Sequence, residues 1–275
     1  TAGYFGLDNL IMFYDSNDIQ LSTECDAVST EDVAKKYEAW NWEVITIDGN
    51  DPDQIREALK AAKAVVGKPT LIIGKTIMGK GARKADGSSY ERCCATHGAP
   101  LGGDAYINTI KNLGADVENP FVIFPEVQEL YAKRKEGLKA IVAERYAAKD
   151  KWGKEHPELL EKLNLWFSGK LPQIDWEAIE QKPDGATRTA SATCLGVLAE
   201  HVENMIVASA DLSNSDKTDG FLKKTHAFTK GDFSGAFYHA GVSELTMACV
   251  CIGMALHGGV IAACGTFFVF SDYMK

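Results

Sequence analysis

Residues 10–19 read LIMFYDSNDI. Leu10 to Tyr14 form an apolar run without alternation, and the polar residues Asp15, Ser16 and Asn17 follow at once. An unbroken apolar run closed by turn formers is the pattern of a central strand in a parallel sheet, and open α/β sheets bind ligands at the carboxyl ends of their strands. Working outward, Ser29 to Asp32 open a helix through Tyr37, and Trp42 to Ile47 reads as the next strand. A second helix starts after Pro52, carries Ile55, Ala58, Leu59 and Ala62 on one face and ends at Gly67, and Thr70 to Gly74 is a third apolar strand. Strand, helix, strand, helix, strand predicts an α/β chain with a parallel sheet and helical crossovers.

From Lys75 to Gly103 the periodicity gives way to a glycine-rich loop containing His97, long enough to suggest function. Helices are expected from Asp104 to Leu113, from Glu126 to Trp152 and from Pro157 to Phe167, the last two solvent-facing on one side. Lys170 to Gly185 carries two prolines and little periodicity, and reads as a linker. A second α/β unit follows, with a helix from Thr187 to Glu203, a strand from Met205 to Ser209 and a loop from Asp211 to Gly235. Ser243 can cap a helix to Leu256 whose residues are apolar almost all round, predicting burial, and Gly258 and Gly259 stop it. Beyond a strand from Val260 to Cys264, the aromatics Phe267, Phe270 and Tyr273 recur at helical spacing.

The 275 residues fit one large or two medium domains, and 45% hydrophobic content is ordinary for a globular chain. A net charge of −9 without a dense Lys/Arg run argues against nucleic-acid and membrane-surface partners. No apolar stretch is long enough to span a bilayer. Seven scattered cysteines lack disulfide or zinc spacing and read as reduced thiols of a cytoplasmic protein. The chain enters its first strand almost at once and lacks an initiator Met, so a segment of a longer protein is expected.

Three places can carry chemistry. In FYDSNDI, the Asn17 side chain and the Ile19 carbonyl are two oxygens suited to Mg²⁺ or Ca²⁺ bridging a diphosphate, although Asp-Ser-Asn after a strand is also ordinary turn chemistry. His97, between Thr96 and Gly98 on the long loop, can face a cleft with a pKa near working pH, or can be a surface histidine. Glu244, the one ionisable residue of its helix before His257, can complement the helix dipole or, beside aromatics, hold a flat heteroaromatic ligand.

GVSE, MALHGG and GTFFVFSDY, together with FYDSNDI, KTIMGKG, HGAPLG and SADLSNS, resemble transketolases over nearly the whole chain. The resemblance implies two α/β units of the thiamine diphosphate-binding type, both incomplete: the C-terminal part of a diphosphate-binding domain (1–120), a helical linker (121–185) and the first half of a pyrimidine-binding domain (186–275). It implies that Glu244 bonds a ring nitrogen of thiamine diphosphate, that Phe270 stacks on that ring beside Phe267, and that burial among Leu245, Phe267 and Phe270 raises the carboxyl pKa. It implies that Asn17 and Ile19 bind Mg²⁺ or Ca²⁺, that His97 faces cofactor and substrate, and that Asp211 lies at the cofactor. It further implies that Arg188 and Ser215 bind the phosphate of a sugar phosphate, and that a homodimer shares its active sites between subunits. The function so implied is transfer of a two-carbon ketol unit from a ketose phosphate to an aldose phosphate. A dihydroxyacetone synthase, a phosphoketolase and a catalytically silent fragment or assembly subunit stay open. The stretch KADGSSYERCCAT before His97, TRTAS around Arg188 and SNS at Ser215 depart from the family pattern. The family's Gly-Asp-Gly metal acid has no counterpart, so this chain by itself is expected to lack two-carbon transfer.

Overall fold

In the computed structural model, which describes residues 1–275, the strands of the first unit are β1 (Ile11–Ser16), β2 (Glu43–Asp48) and β3 (Thr70–Lys75), all parallel in the order β1-β3-β2. The chain separates into two units, Thr1–Lys135 and Glu136–Lys275. The first also holds α1 (Ala2–Phe5), α2 (Val33–Ala39), α3 (Pro52–Ala64) and α4 (Gly103–Asn112). The boundary falls within α5 (Pro125–Glu155).

The last strand of the three to be made lies at the centre. Leu71 and Ile72 on β3 are fully buried and Ile73 nearly so, each contributing about 1.5–3 kcal/mol of apolar burial. Ala58 and Ala62 of α3 close over Ile72, with Ile11, Ile45 and Ile47 around them. Helix α3 starts where its sequence says: Pro52 takes a first-turn position, and the Asp51 carboxylate accepts from the Asp53 and Gln54 amides. Those backbone bonds hold the Asp51 pKa below the usual carboxylate value. The expectation that Leu10–Tyr14 forms a central strand fails. With β3 taking the middle, β1 has one hydrogen-bonded neighbour, and Phe13 and Tyr14 are about two-fifths exposed. The chain also enters through a short helix, α1, which Gly6 ends at φ 67, rather than directly through a strand.

The second unit holds α6 (Pro157–Phe167), α7 (Thr187–His201), β4 (Met205–Ser209), α8 (Ser213–Asp216), α9 (Asp219–Leu222), β5 (Phe237–His239), α10 (Glu244–His257) and β6 (Ile261–Gly265). Its parallel sheet has the order β5-β4-β6. Val202, Met205, Val207, Phe221 and Phe237 form its core. Residues 170–186 contain no helix or strand.

Three further expectations give way here. The stretch read as one loop from Asp211 to Gly235 contains α8 and α9, because Asp211 and Lys217 adopt left-handed backbone and let short turns close. Helix α10 is not buried all round. It packs on β6 and on the 3₁₀ turn Phe268–Met274, which covers Met247, Ala248 and Cys251 and leaves Leu245, Ile252 and Leu256 more than half exposed. Helix α5 was expected to bury one side; of its residues Gly153 alone is buried, and Leu138, Ile141 and Val142 are exposed.

Candidate active site

The turn after β1 is built by three residues. Asn17 Oδ1 accepts from the Ile19 amide at 3.1 Å, and Asp18 between them sits at φ 66, a conformation that Asp tolerates better than most residues. The turn carries Ile19 inward to 5% exposure, while the Asp18 carbonyl accepts from the Cys25 amide at 2.9 Å and fastens the returning chain. Lys75, the last residue of β3, donates to Ser16 Oγ at 2.8 Å and lies 3.7 Å from one Asp18 carboxylate oxygen. Arg92, from the long loop, stands 3.7 Å from the other. These ions are half exposed, so each pair is worth roughly 0–1 kcal/mol. With Gln20 and Glu24 they border a cleft of about 640 Å³ at the carboxyl end of the sheet.

Two oxygens of that turn can serve a hard cation. Asn17 Oδ1 has one lone pair engaged by the Ile19 amide and one to spare, and the Ile19 carbonyl could supply a second ligand. No cluster of three His, Cys, Asp or Glu side chains is placed to bind a metal. The turn therefore fits Mg²⁺ or Ca²⁺ as part of a shell that phosphate oxygens and water extend.

His97 closes the short 3₁₀ turn Cys94–Thr96, its amide donating to the Cys94 carbonyl at 3.0 Å. The loop that carries it is fastened to α4: the Arg83 amide donates to Thr109 Oγ1 at 2.9 Å and Asn112 Nδ2 donates to the Gly81 carbonyl at 2.9 Å. The structure brings Asn17 and Ile19 together. His97 is half-buried on its own loop, with no bond to either.

In the second unit Glu244 is the first residue of α10 and is half-buried. Thr266, just beyond β6, donates to Glu244 Oε1 across 3.3 Å. Ser243 holds the N-cap position without the expected side-chain cap bond. The 3₁₀ geometry after Phe267 explains why the aromatics pair: residues three apart eclipse in such a turn. Phe267 and Phe270 stack at 6.2 Å and 21°, and Phe270 meets Tyr273 at 6.3 Å. The apolar enclosure expected of Leu245 is missing, because that side chain is 57% exposed on the open face of α10. The arrangement of a carboxylate with one bonded oxygen, set at a helix N-terminus near stacked phenyl rings, fits a heteroaromatic ring bearing a hydrogen-bonding nitrogen.

Asp211 and Ser215 share the loop after β4. Asp211 takes φ 66, and Ser215 Oγ reaches Asn214 Oδ1 at 3.2 Å. Arg188 stands exposed in the first turn of α7, and no bond joins it to Ser215. Among the remaining histidines, His239 packs edge-on against Phe237 and is exposed, and His257 bonds the Gly258 carbonyl. The sequence reading passed over Asp18, Lys75 and Arg92 at the first turn and Asp216 and Thr218 at the second. The one signal available was that Asp18 lies inside FYDSNDI and that Asp216 directly follows SADLSNS.

Two parallel α/β sheets, one ending in an oxygen-lined turn and the other followed by a pair of stacked phenyl rings and a threonine bonded to a helix-terminal glutamate, define a two-unit α/β protein. Residues 1–172 match the family described as transketolase, thiamine diphosphate binding domain, and residues 184–275 match transketolase, pyrimidine binding domain. The chain belongs to the transketolase family. It is 38% identical over 280 residues to the transketolase of Bacillus subtilis and 36% identical over 286 residues to transketolase 2 of Escherichia coli. In each case all of this chain aligns, and it spans 41% of the relative's length. The solved transketolase from Leishmania mexicana superposes with a TM-score of 0.90 at 29% identity, covering 99% of this chain and 40% of that one. The transketolase from Pichia stipitis in complex with sedoheptulose-7-phosphate gives a TM-score of 0.89 at 30% identity, covering 99% and 41%. No helix is long and apolar enough to cross a membrane.

Proposed function

We propose that the protein carrying this chain is a transketolase, which moves a two-carbon ketol unit from a ketose phosphate to an aldose phosphate with thiamine diphosphate and Mg²⁺ or Ca²⁺. The observation that carries the reading is Glu244 at the N-terminus of α10, bonded by Thr266 and neighboured by the Phe267–Phe270 stack. Thiamine diphosphate, when bound, supplies the electron sink that two-carbon transfer requires. Glu244 would hydrogen-bond a ring nitrogen of that group, and Phe270 and Phe267 would supply apolar contact to the ring. Asn17 and Ile19 would give oxygens to the cation, and Asp211 would contact the cofactor. His97 contacts the reacting oxygen of the substrate, and Arg188 and Ser215 take the sugar phosphate through charge-assisted bonds.

On this reading residues 1–120 are part of the diphosphate-binding domain, 121–185 the helical linker and 186–275 part of the pyrimidine-binding domain. The protein acts as a cytoplasmic homodimer with shared sites; the open apolar stripe Leu245, Ile252 and Leu256 on α10 is a surface that a second copy can cover. The test is a two-carbon transfer assay on the full-length protein, with and without thiamine diphosphate and Mg²⁺. Transfer dependent on both is expected, and cofactor-independent transfer or none at all would overturn the assignment.

A further inference from the structure

Asp216 follows Ser215 directly, and its carboxylate is the hub of the loop. One oxygen, Oδ1, accepts from both the Thr218 amide at 2.9 Å and Thr218 Oγ1 at 2.8 Å. The other, Oδ2, accepts from Ser209 Oγ at 3.1 Å, and the same Ser209 hydroxyl accepts from the Leu212 amide at 3.2 Å. Leu212 and Thr218 bracket the short turn that presents Ser215, whose own amide donates to the Leu212 carbonyl at 2.7 Å. The anchor is set in the core: Ser209 is fully buried at the centre of the sheet, in register with His239 on one side and Gly265 on the other. Gly265 is there because a Cβ would come within 2.6 Å of Thr218 Cγ2 and 3.4 Å of Asp216 Oδ2. The next residue is Thr266, the donor to Glu244.

We propose that Asp216 is a positioning residue, which ties both ends of the Leu212–Thr218 turn to the buried end of β4 and so fixes Ser215 for the phosphate of the sugar. The proposal rests on the transketolase reading for the role of Ser215, but not for the geometry. A carboxylate is suited to the task because it accepts at two oxygens from three donors at once, whereas an amide side chain offers one accepting oxygen.

The experiment uses the full-length protein and compares Asp216→Ala, Asp216→Asn and Thr218→Val with Ser215→Ala. It reads amide hydrogen exchange over 205–218, and KM and kcat for a phosphorylated ketose and for hydroxypyruvate. In Asp216→Ala, exchange across 212–218 rises by about tenfold or more while 205–209 stays protected, as loss of buried bonds to a charged group implies. The KM for the phosphorylated donor rises about tenfold with a much smaller change for hydroxypyruvate. Asp216→Asn keeps the Thr218 bonds at Oδ1 but loses the acceptor for Ser209, so it recovers only part of the loss, and Thr218→Val shows a smaller change in the same direction. Unchanged exchange in Asp216→Ala overturns the proposal, as does loosening of 205–209 together with 212–218, which marks a general structural role. A loosened turn with unchanged KM, in a protein where Ser215→Ala does raise KM, also overturns it. If Ser215→Ala leaves KM untouched while Asp216→Ala still loosens only 212–218, the positioning role stands and the phosphate role of Ser215 falls.

Discussion

Thr266 Oγ1 lies 3.3 Å from Glu244 Oε1, joining the residue after β6 to the first residue of α10, 22 positions earlier in the chain. The bond engages one carboxylate oxygen and leaves Glu244 Oε2 without a partner in the chain.

Replacing Glu244 by Gln or Ala in the full-length protein removes a carboxylate and little packing, since the residue is half-buried and makes one bond. Turnover should fall by about 10²–10⁴-fold, with the circular-dichroism spectrum and melting temperature close to those of the parent. Near-normal turnover would remove Glu244 from the chemistry.

Asn17→Ala deletes both a cation ligand and the acceptor for the Ile19 amide. Thiamine diphosphate affinity, followed by tryptophan fluorescence, should weaken by about tenfold or more, and raised Mg²⁺ should recover part of it. The same metal titration curve for variant and parent would reduce Asn17 to a turn residue.

Arg188→Ala removes an exposed guanidinium whose proposed partner is the substrate. The KM for phosphorylated donors should rise by about 10–100-fold while hydroxypyruvate is used nearly as before. Equal losses on the two donors would take Arg188 out of the phosphate site.

Cys251 offers a pH test. Burial, with Cys264 beside it, pushes the Cys251 thiol from 9.0 up to about 12. A group whose pKa is higher folded than unfolded favours the folded state below its unfolded value, so this contribution is present below pH 9.0 and lost as pH rises toward about 12. Iodoacetamide at about pH 8 should label the exposed Cys249 and spare Cys251 by about tenfold or more in rate until the chain unfolds. Equal labelling of the two, read by peptide mass spectrometry, would contradict the packing of α10 on β6.

Much of this protein was legible in one dimension. The strand readings Leu10–Tyr14, Trp42–Ile47 and Thr70–Gly74 and the helix start at Pro52 specify a parallel βαβ unit, because period, helix starts and crossover handedness are local properties of sequence. Motif spacing left Asn17, His97 and Glu244 open between ordinary structural roles and a site, and the resemblance to transketolases singled them out. Tertiary structure decided what depends on neighbours distant in sequence. It put β3 rather than β1 at the centre of the sheet, since strand order is settled by pairing across 59 residues, as between Ile11 and Thr70. It left one face of α10 open, because burial of an apolar helix depends on what covers it and not on its composition. And it gathered Ser209, Asp216, Thr218 and Gly265 around one carboxylate, an arrangement invisible to periodicity because its bonds join two strand ends through a turn whose left-handed residues are neither glycine nor asparagine.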